Sequence, residues 1–403
     1  MNSATADRLS YRAFTIGLAL YVLVLPVKHT IALRYLAIAI IAASTIAYLW
    51  SHRKRPICPL AGAWIAYAAV ALASLVYAVA PTESLSEIRV EVFYGLAIFV
   101  IAASWSRSRD IVTGLAYMLA AANAIYVVAA LSYASLSSTM PEIERMPSWA
   151  LAGVNPNFIL TVLPLLVYLA WKASRAGQRW RVAALAALVV LDMVALLLSY
   201  NRQAFVVLAV GVACGGSLVL AIRFTWRRFA VLATLIVLIV AMAGVQMARR
   251  EPYLPEELAR ASVAADPRWA LWRFSAARIA EHPLTGGGFG RDVFAKLYPE
   301  LKARNGMLWH AHNMVLNKGI QMGLPGVIVW LILWFYVARE FFVRIRRGSP
   351  DFPLAATGLV IVAMVFAKNM MDDVFVRDMA QLFWLVTGAL IGSLRRTSEA
   401  RAT

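Results

Sequence analysis

Charge is scarce in this sequence, and acid is scarcest. Only 15% of the 403 residues are charged, with 21 Asp and Glu against 39 Lys and Arg. A soluble domain of this length would need far more polar surface than that, which excludes an ordinary water-bathed globule. Cysteine is nearly absent. Cys58 and Cys214 both lie near or inside hydrophobic runs, so there is no disulfide framework and no CxxC metal pattern. The five histidines (His29, His52, His282, His310, His312) include no HExxH zinc arrangement. No internal repeat supports an inverted-repeat transporter, and no segment is of low complexity.

What the chain has instead is apolar sequence, 62% hydrophobic residues in long uninterrupted runs. That makes the bilayer its solvent. The first run follows a basic start (Arg8, Arg12) but closes on no small-residue cleavage site, so it reads as a span and not a removable signal. Runs long enough to cross the hydrocarbon core fall near 14–27, 31–50, 59–80, 89–105, 111–135, 153–173, 180–199, 203–222, 228–247, 324–342, 353–371 and 378–394. The expected fold is therefore all-α, a polytopic transmembrane bundle of about twelve spans. Residues 1–247 carry the first nine spans and 248–323 form one large periplasmic loop containing amphipathic helices. Residues 324–394 carry the last three spans, and 395–403 form a cytoplasmic tail.

Charge sets the orientation. With both termini cytoplasmic, the inner segments hold twenty-one Lys and Arg and the short outer loops seven, the bias expected of a positive-inside protein. The net charge of +18 thus reflects topology and attraction to anionic lipid before any nucleic acid. The remaining eleven cations all lie between 248 and 323. They read either as solvated helix faces and headgroup contacts, or as the lining of a phosphate site, since the Arg fork matches phosphate oxygens.

Within that loop, Asp266-Pro267 reads as a helix start, and 268–281 has helical periodicity. Trp269, Trp272, Ala276 and Ile279 share one face, and Arg268, Leu271, Ser275 and Arg278 another. The helix can lie on the membrane or roof the bundle. It ends in His282-Pro283-Leu284-Thr285-Gly286-Gly287-Gly288-Phe289-Gly290, a stretch built to bend sharply and only loosely like an anion cradle. Then come His310-Ala311-His312-Asn313 and a short apolar helix, Met314 to Met322, broken by Gly323, Pro325 and Gly326 before the span from Leu324. Histidines two apart do not share a helix face, so no metal site is expected there; a His does suit proton abstraction near neutral pH. Arg202 sits in a tight outer turn, where a charge must snorkel, pair or bind something. The last outer turn clusters Lys368, Asp372, Asp373, Arg377 and Asp378, for which mutual salt bridging is expected.

Three motifs taken together resemble the O-antigen ligase and polymerase superfamily of bacterial envelope glycosyltransferases. They are the turn Asn201-Arg202-Gln203-Ala204, the helix with Arg268 and Trp272 running into His282–Gly290, and His310–Asn313 followed by Gly323 and Gly326. The family turn more often reads Ser-Arg-Gly, and the glycine-rich turn here lacks the usual aromatic and has Gly287. The motifs cover about 199 to 326, and the many-span layout covers the whole chain.

The resemblance implies an inner-membrane enzyme that takes a glycan from undecaprenyl diphosphate at the periplasmic face. A ligase would pass O-antigen to lipid A–core oligosaccharide, completing lipopolysaccharide; a polymerase would extend a glycan on another carrier, and a related branch glycosylates proteins. A large outer loop two-thirds along the chain, with little after the last span, is most like the ligase. By the same resemblance His312 is the base on the acceptor hydroxyl. Arg202 and Arg268 clamp the diphosphate, with Arg273, Arg291, His310 and Asn313 as supporting candidates. Arginines would take the place of a metal ion, so no metal or other cofactor is expected, and displacement would invert the anomeric carbon. The rival from another class is a lipid-linked glycan transporter, for which Asp192 inside the seventh span is the clearest intramembrane candidate.

Overall fold

The computed structural model describes residues 3–25, 27, 30–136, 156–199, 201–222, 224–250, 267–304, 308–346, 349–375 and 377–402. Among the described residues there are sixteen α-helices and no strand. Nine helical stretches are long and apolar enough to cross a membrane. They are α2 (Ile31–Ser51), the run from α4 (Pro81–Ile88) through a π turn (Arg89–Phe93) into α5 (Tyr94–Ser108), α6 (Val112–Leu136), α7 (Pro156–Arg175), α8 (Arg179–Leu198), α9 (Arg202–Ile222), α10 (Trp226–Arg250), α14 (Met314–Phe342) and α15 (Phe352–Asn369). The other three of the twelve expected spans are also helices: α1 (Ser3–Val24), α3 with its 3-10 extension (Ala61–Tyr77), and α16 (Asp378–Ala402). They fall short of spanning length or apolarity, and α16 does so for a clear reason. Its residues 380–394 are buried throughout and include Gln381, Thr387 and Ser393, so it is an interior helix that need not be apolar toward lipid.

Helices in a bilayer gain nothing by hiding apolar surface from lipid, so close backbone approach has to hold them together. On α16, Gly388 and Gly392 lie one turn apart against α5. A Cβ there would stand 2.5 Å from the Phe99 carbonyl oxygen and 2.3 Å from that of Ala103.

The segment between α10 and α14 folds on its own small core. It contains α11 (Pro267–Glu281), α12 (Val293–Leu297) and α13 (Pro299–Arg304). Leu271, Phe294, Ala311 and Ile320 are its buried centre. The expected helix start holds at Pro267; Asp266 lies outside the described residues. Of the two faces read from periodicity, the one through Leu271 and Ser275 is buried, while Trp269 is 51% exposed and packs edge-on against Trp272. The indole of Trp272 in turn donates to the Ala311 carbonyl, 3.0 Å away.

The break in α14 anchors this segment. Gly323 has φ 67° and ψ −167°, a conformation closed to other residues, and Pro325 has no N–H to give. The carbonyls of Ile320 and Gln321 therefore lose their helical donors. The amides of Gly287 and Gly288 replace them at 2.9 and 3.0 Å, while Leu324 N–H donates to the Pro283 carbonyl at 2.8 Å. The next amide, Phe289, is held by Ser74 Oγ at 3.1 Å. A Cβ at Gly286 would meet Ile320 O at 2.4 Å, and Gly288 has φ +99°. The glycine-rich turn is thus a plug for a broken helix, with the amides of Gly287, Gly288 and Phe289 occupied by the protein instead of facing an anion.

Candidate active site

The turn before α14 carries both loop histidines, and the sequence-based reading of their geometry needs correction. His312 has φ +48°, a left-handed conformation that is strained for a residue with a Cβ. That turn folds the two rings onto one side, with centroids 3.8 Å apart. Helical spacing alone had kept them apart. The His312 amide donates to His310 Nδ1 at 3.0 Å, so that nitrogen is an acceptor and the ring proton sits on Nε2. Neighbouring side chains hold the turn in place. Asn313 caps α14 through Leu316 N–H (3.2 Å) and donates to the Met370 carbonyl (3.0 Å). Asn317 accepts from Ala311 N–H (2.9 Å) and donates to Asp373 (2.6 Å).

The turn from Lys368 to Asp378 comes up opposite. Asp372 Oδ1 lies 3.1 Å from His312 Nδ1 and 3.8 Å from His310 Nε2. A carboxylate on Nδ1 fixes that proton and leaves Nε2 as the basic nitrogen of His312. The mutual salt bridging expected within this turn is met in part, as attraction between Lys368 and Asp372 and between Arg377 and Asp378, while the closest ion pairs reach outside it. Arg377 pairs with Glu87 and Asp378 with Arg34, each on another helix. Burial works to raise the Asp372 carboxyl, but the His312 hydrogen bond and the nearby Lys368, His312 and His310 outweigh it and hold the group well below the usual carboxylate range. His310 is pushed down to about 3, by burial first and then by His312 and Arg291, so its ring is neutral at any physiological pH.

Cations surround the pair. The Arg291 guanidinium stacks 4.2 Å over Trp309, whose ring stands edge-on to His310 at 4.3 Å. Arg268 on α11 is within electrostatic reach of His310 and of Lys368. Lys368 is buried, bonds Gln203 Oε1 and faces Asp372. Gln203 Nε2 also donates to the Met371 carbonyl at 3.0 Å, which sets the start of α9 against the same turn. Arg202 is the first residue of that helix; its side chain lies outside the described residues. Of the expected site residues, His310, His312, Asn313, Arg268 and Arg291 are thus brought together. Arg273 is exposed on α11 and makes none of the contacts described here.

Three ligand atoms, on His310, His312 and Asp372, lie within 4.8 Å of one another, close enough to hold a metal ion. Arg268, Arg291 and Lys368 facing the same point favour an anion there over a second cation. Directly below is a second charged group that the sequence reading counted among the loop's anion-seeking cations. Lys318 is fully buried, 2.8 Å from Glu91 on the π turn and 4.0 Å over the Phe289 ring; Tyr67 donates to the same carboxylate at 2.9 Å. Lys318 therefore fastens α14 to the α4–α5 run. Arg278 and Lys296 are likewise paired, with Glu281 and Glu83. Sequence reasoning missed Asp372 and Lys368 as partners of the histidines. The usable signal was a Lys and an acid at the very end of an apolar run, where a charge persists only with a partner.

No curated protein matches the chain. Residues 187–331 match the model of the family described as O-antigen ligase. The match takes in Arg202, Arg268, Arg291, both loop histidines and the break in α14, and stops short of Asp372, so this segment is similar to that family.

Proposed function

We propose that this protein is an O-antigen ligase, moving O-antigen glycan from undecaprenyl diphosphate to lipid A–core oligosaccharide. The family match supports ligase- or polymerase-type glycan transfer in a multi-pass membrane protein. The observation that carries the finer reading is the His312–Asp372 pair at 3.1 Å, faced by Arg268, Arg291 and Lys368. His312 Nε2 takes the proton of the acceptor hydroxyl, whose oxygen bonds the anomeric carbon. The bond from that carbon to the diphosphate breaks, and its electrons leave on the phosphate oxygen. Arg202 and Arg268 hold the developing charge, which is where preorganised cations act most strongly. Arg291, His310 and Asn313 support the site. Arg273, exposed on α11, is the weakest of the supporting candidates. The displacement is direct, inverting and metal-independent. The histidine end is periplasmic, segment 248–323 is the periplasmic loop, and both termini are cytoplasmic in the bacterial inner membrane.

The transporter reading draws on Asp192. That residue is buried and accepts from Asn123 Nδ2 at 2.7 Å, while its second oxygen is buried without a hydrogen bond. The test is reconstitution in detergent of purified protein with undecaprenyl-diphosphate glycan and lipid A–core, in the presence of EDTA. Glycan on lipid A–core, absent with His312→Ala, is the expected result. A longer glycan still on its carrier would make the protein a polymerase. Loss of transfer in EDTA, restored by a divalent ion, would turn the His310, His312 and Asp372 cluster into a metal site. Donor binding without any transfer would favour transport.

A further inference from the structure

At the end of the bundle far from the histidines, α7, α9, α10 and α15 wall a recess of about 1020 Å³. Two glycines on α9 create it. Gly216 admits Leu232 of α10, and Gly211 admits Met364 of α15, each so close that a Cβ would fall 2.4 Å away. α9 is thereby pinned to both neighbours, and the space between α10 and α15 stays open. Only 6% of the α10 span is buried. Along α15 the recess runs from Phe352 to Met364, about 18 Å at the helical rise. That is a little over half of a hydrocarbon core of roughly 30 Å, the depth of one leaflet.

The walls are apolar and the rim is basic. Arg227 and Arg228 line the mouth beside Thr225, at the N-terminal, partially positive end of α10. Trp171 lines the recess on the opposite wall, a residue type suited to headgroup level. Two carboxylates lie nearby: Asp110, within electrostatic reach of Tyr168 and answered by Lys172 at 3.9 Å, and Asp351, next to Phe352, so the two guanidinium groups at the mouth outnumber the one carboxylate beside them. We infer that this recess binds a phospholipid with an anionic headgroup, one acyl chain lying between α10 and α15 and the phosphate at Arg227 and Arg228. It is not the donor's diphosphate site. Lys368, beside the histidines, is sixteen residues along α15 from Phe352, about 24 Å away. The lipid closes the wall that α10 leaves open, and α10 leads toward the segment that carries Arg268.

The test is native mass spectrometry of the full-length protein titrated with phosphatidylglycerol or phosphatidylcholine of identical chains. Wild type binds phosphatidylglycerol more tightly, and each arginine removed in Arg227→Gln and Arg228→Gln weakens that binding about fivefold. Phosphatidylcholine, whose choline offsets the same phosphate, loses clearly less than phosphatidylglycerol in both. Ala356→Trp, which fills the recess, loses both lipids. Val231→Trp does the same from the exposed face of α10, where no folding defect is expected. Equal affinity for the two lipids, or phosphatidylglycerol binding untouched by the arginine changes, would overturn the headgroup assignment. Undiminished binding in both tryptophan variants would overturn the placement in the recess.

Discussion

Asp372→Asn tests the mechanism most sharply, because it keeps the side chain's shape and removes its charge. The carboxylate lies 3.1 Å from His312 Nδ1. When His312 takes the acceptor's proton it becomes an imidazolium, and two full charges at that distance attract by roughly 5 kcal/mol at an effective dielectric of ~20. Both side chains keep some solvent contact, 16% for His312 and 28% for Asp372, and screening brings the usable part to about half. A loss of ~2.5 kcal/mol lowers the rate by a factor on the order of 10², which lies at the lower edge of what general-base catalysis supplies. An Asn at this position can also present its amide N–H to Nδ1, which would stabilise the wrong tautomer and deepen the loss. The assay is reconstituted transfer with kcat and donor KM measured separately. We expect kcat to fall and donor KM to hold, since the proposed grip on the diphosphate comes from the arginines. Asp373→Asn is the control: Asp373 bonds Asn317 and not the histidine. A near-normal kcat for Asp372→Asn, or a loss confined to KM, would refute the assignment of His312 as a carboxylate-oriented base.

Two further outcomes follow from the buried charges. Lys318→Met strands Glu91 inside the bundle and should cost about 3–5 kcal/mol, whereas the Lys318→Met/Glu91→Leu double variant should recover most of it; thermal unfolding in micelles checks this, and a double variant no more stable than the single would mean the pair is not the fastening. His310 is neutral down to about 3 in the folded protein, while the unfolded chain takes up its proton below about 6.5. The unfolded state therefore binds more protons between those values, and stability is lost as pH falls below about 6.5. His310→Gln should flatten that loss by about 2 kcal/mol at pH 5; melting curves of the two proteins that stay parallel from pH 7 to 5 would contradict it.

How much of this was legible beforehand depended on whether the signal was local. Spans, the helix from Pro267 and the break at Gly323 followed from residue types and spacing within a few turns, whereas His312, Arg268 and Arg291 were singled out by resemblance to the O-antigen ligase and polymerase superfamily. What stayed hidden came from pairings across the chain. Asp372 is sixty residues from His312, and Lys318 is 227 from Glu91; nothing in periodicity joins them. The left-handed turn at His312 was hidden for another reason. A β-carbon residue adopts φ +48° only when its surroundings insist, here through Asn313, Asn317 and the Met370 carbonyl. Periodicity set Trp269 with Trp272 and Leu271 with Ser275 on two faces of α11 without saying which is buried. The indole of Trp272 reaches across to Ala311 O, and the small Ser275 faces the core.

The glycines and proline of α14 matter to the chemistry through a longer chain of cause than a phosphate cradle would require. In a bilayer each backbone carbonyl released from a helix must find a donor within the protein. Gly323 and Pro325 release two, at Ile320 and Gln321, and the amides of Gly287 and Gly288 meet them. The loop is therefore docked by a defect in the helix, and the docking brings its glycine turn against Ser74 and the Lys318–Glu91 pair. One helical turn above, the same short piece of α14 carries Asn313 and Asn317, which set the histidine turn against Asp372 and Asp373. Straightening this helix, by restoring its own hydrogen bonds, would free the glycine turn and tilt both asparagines away from their partners. Residues that never touch a substrate can thus fix the distance between His312 and Asp372. That is a physical reason for the break in α14 to fall within the same family-matched segment as His312, the proposed base.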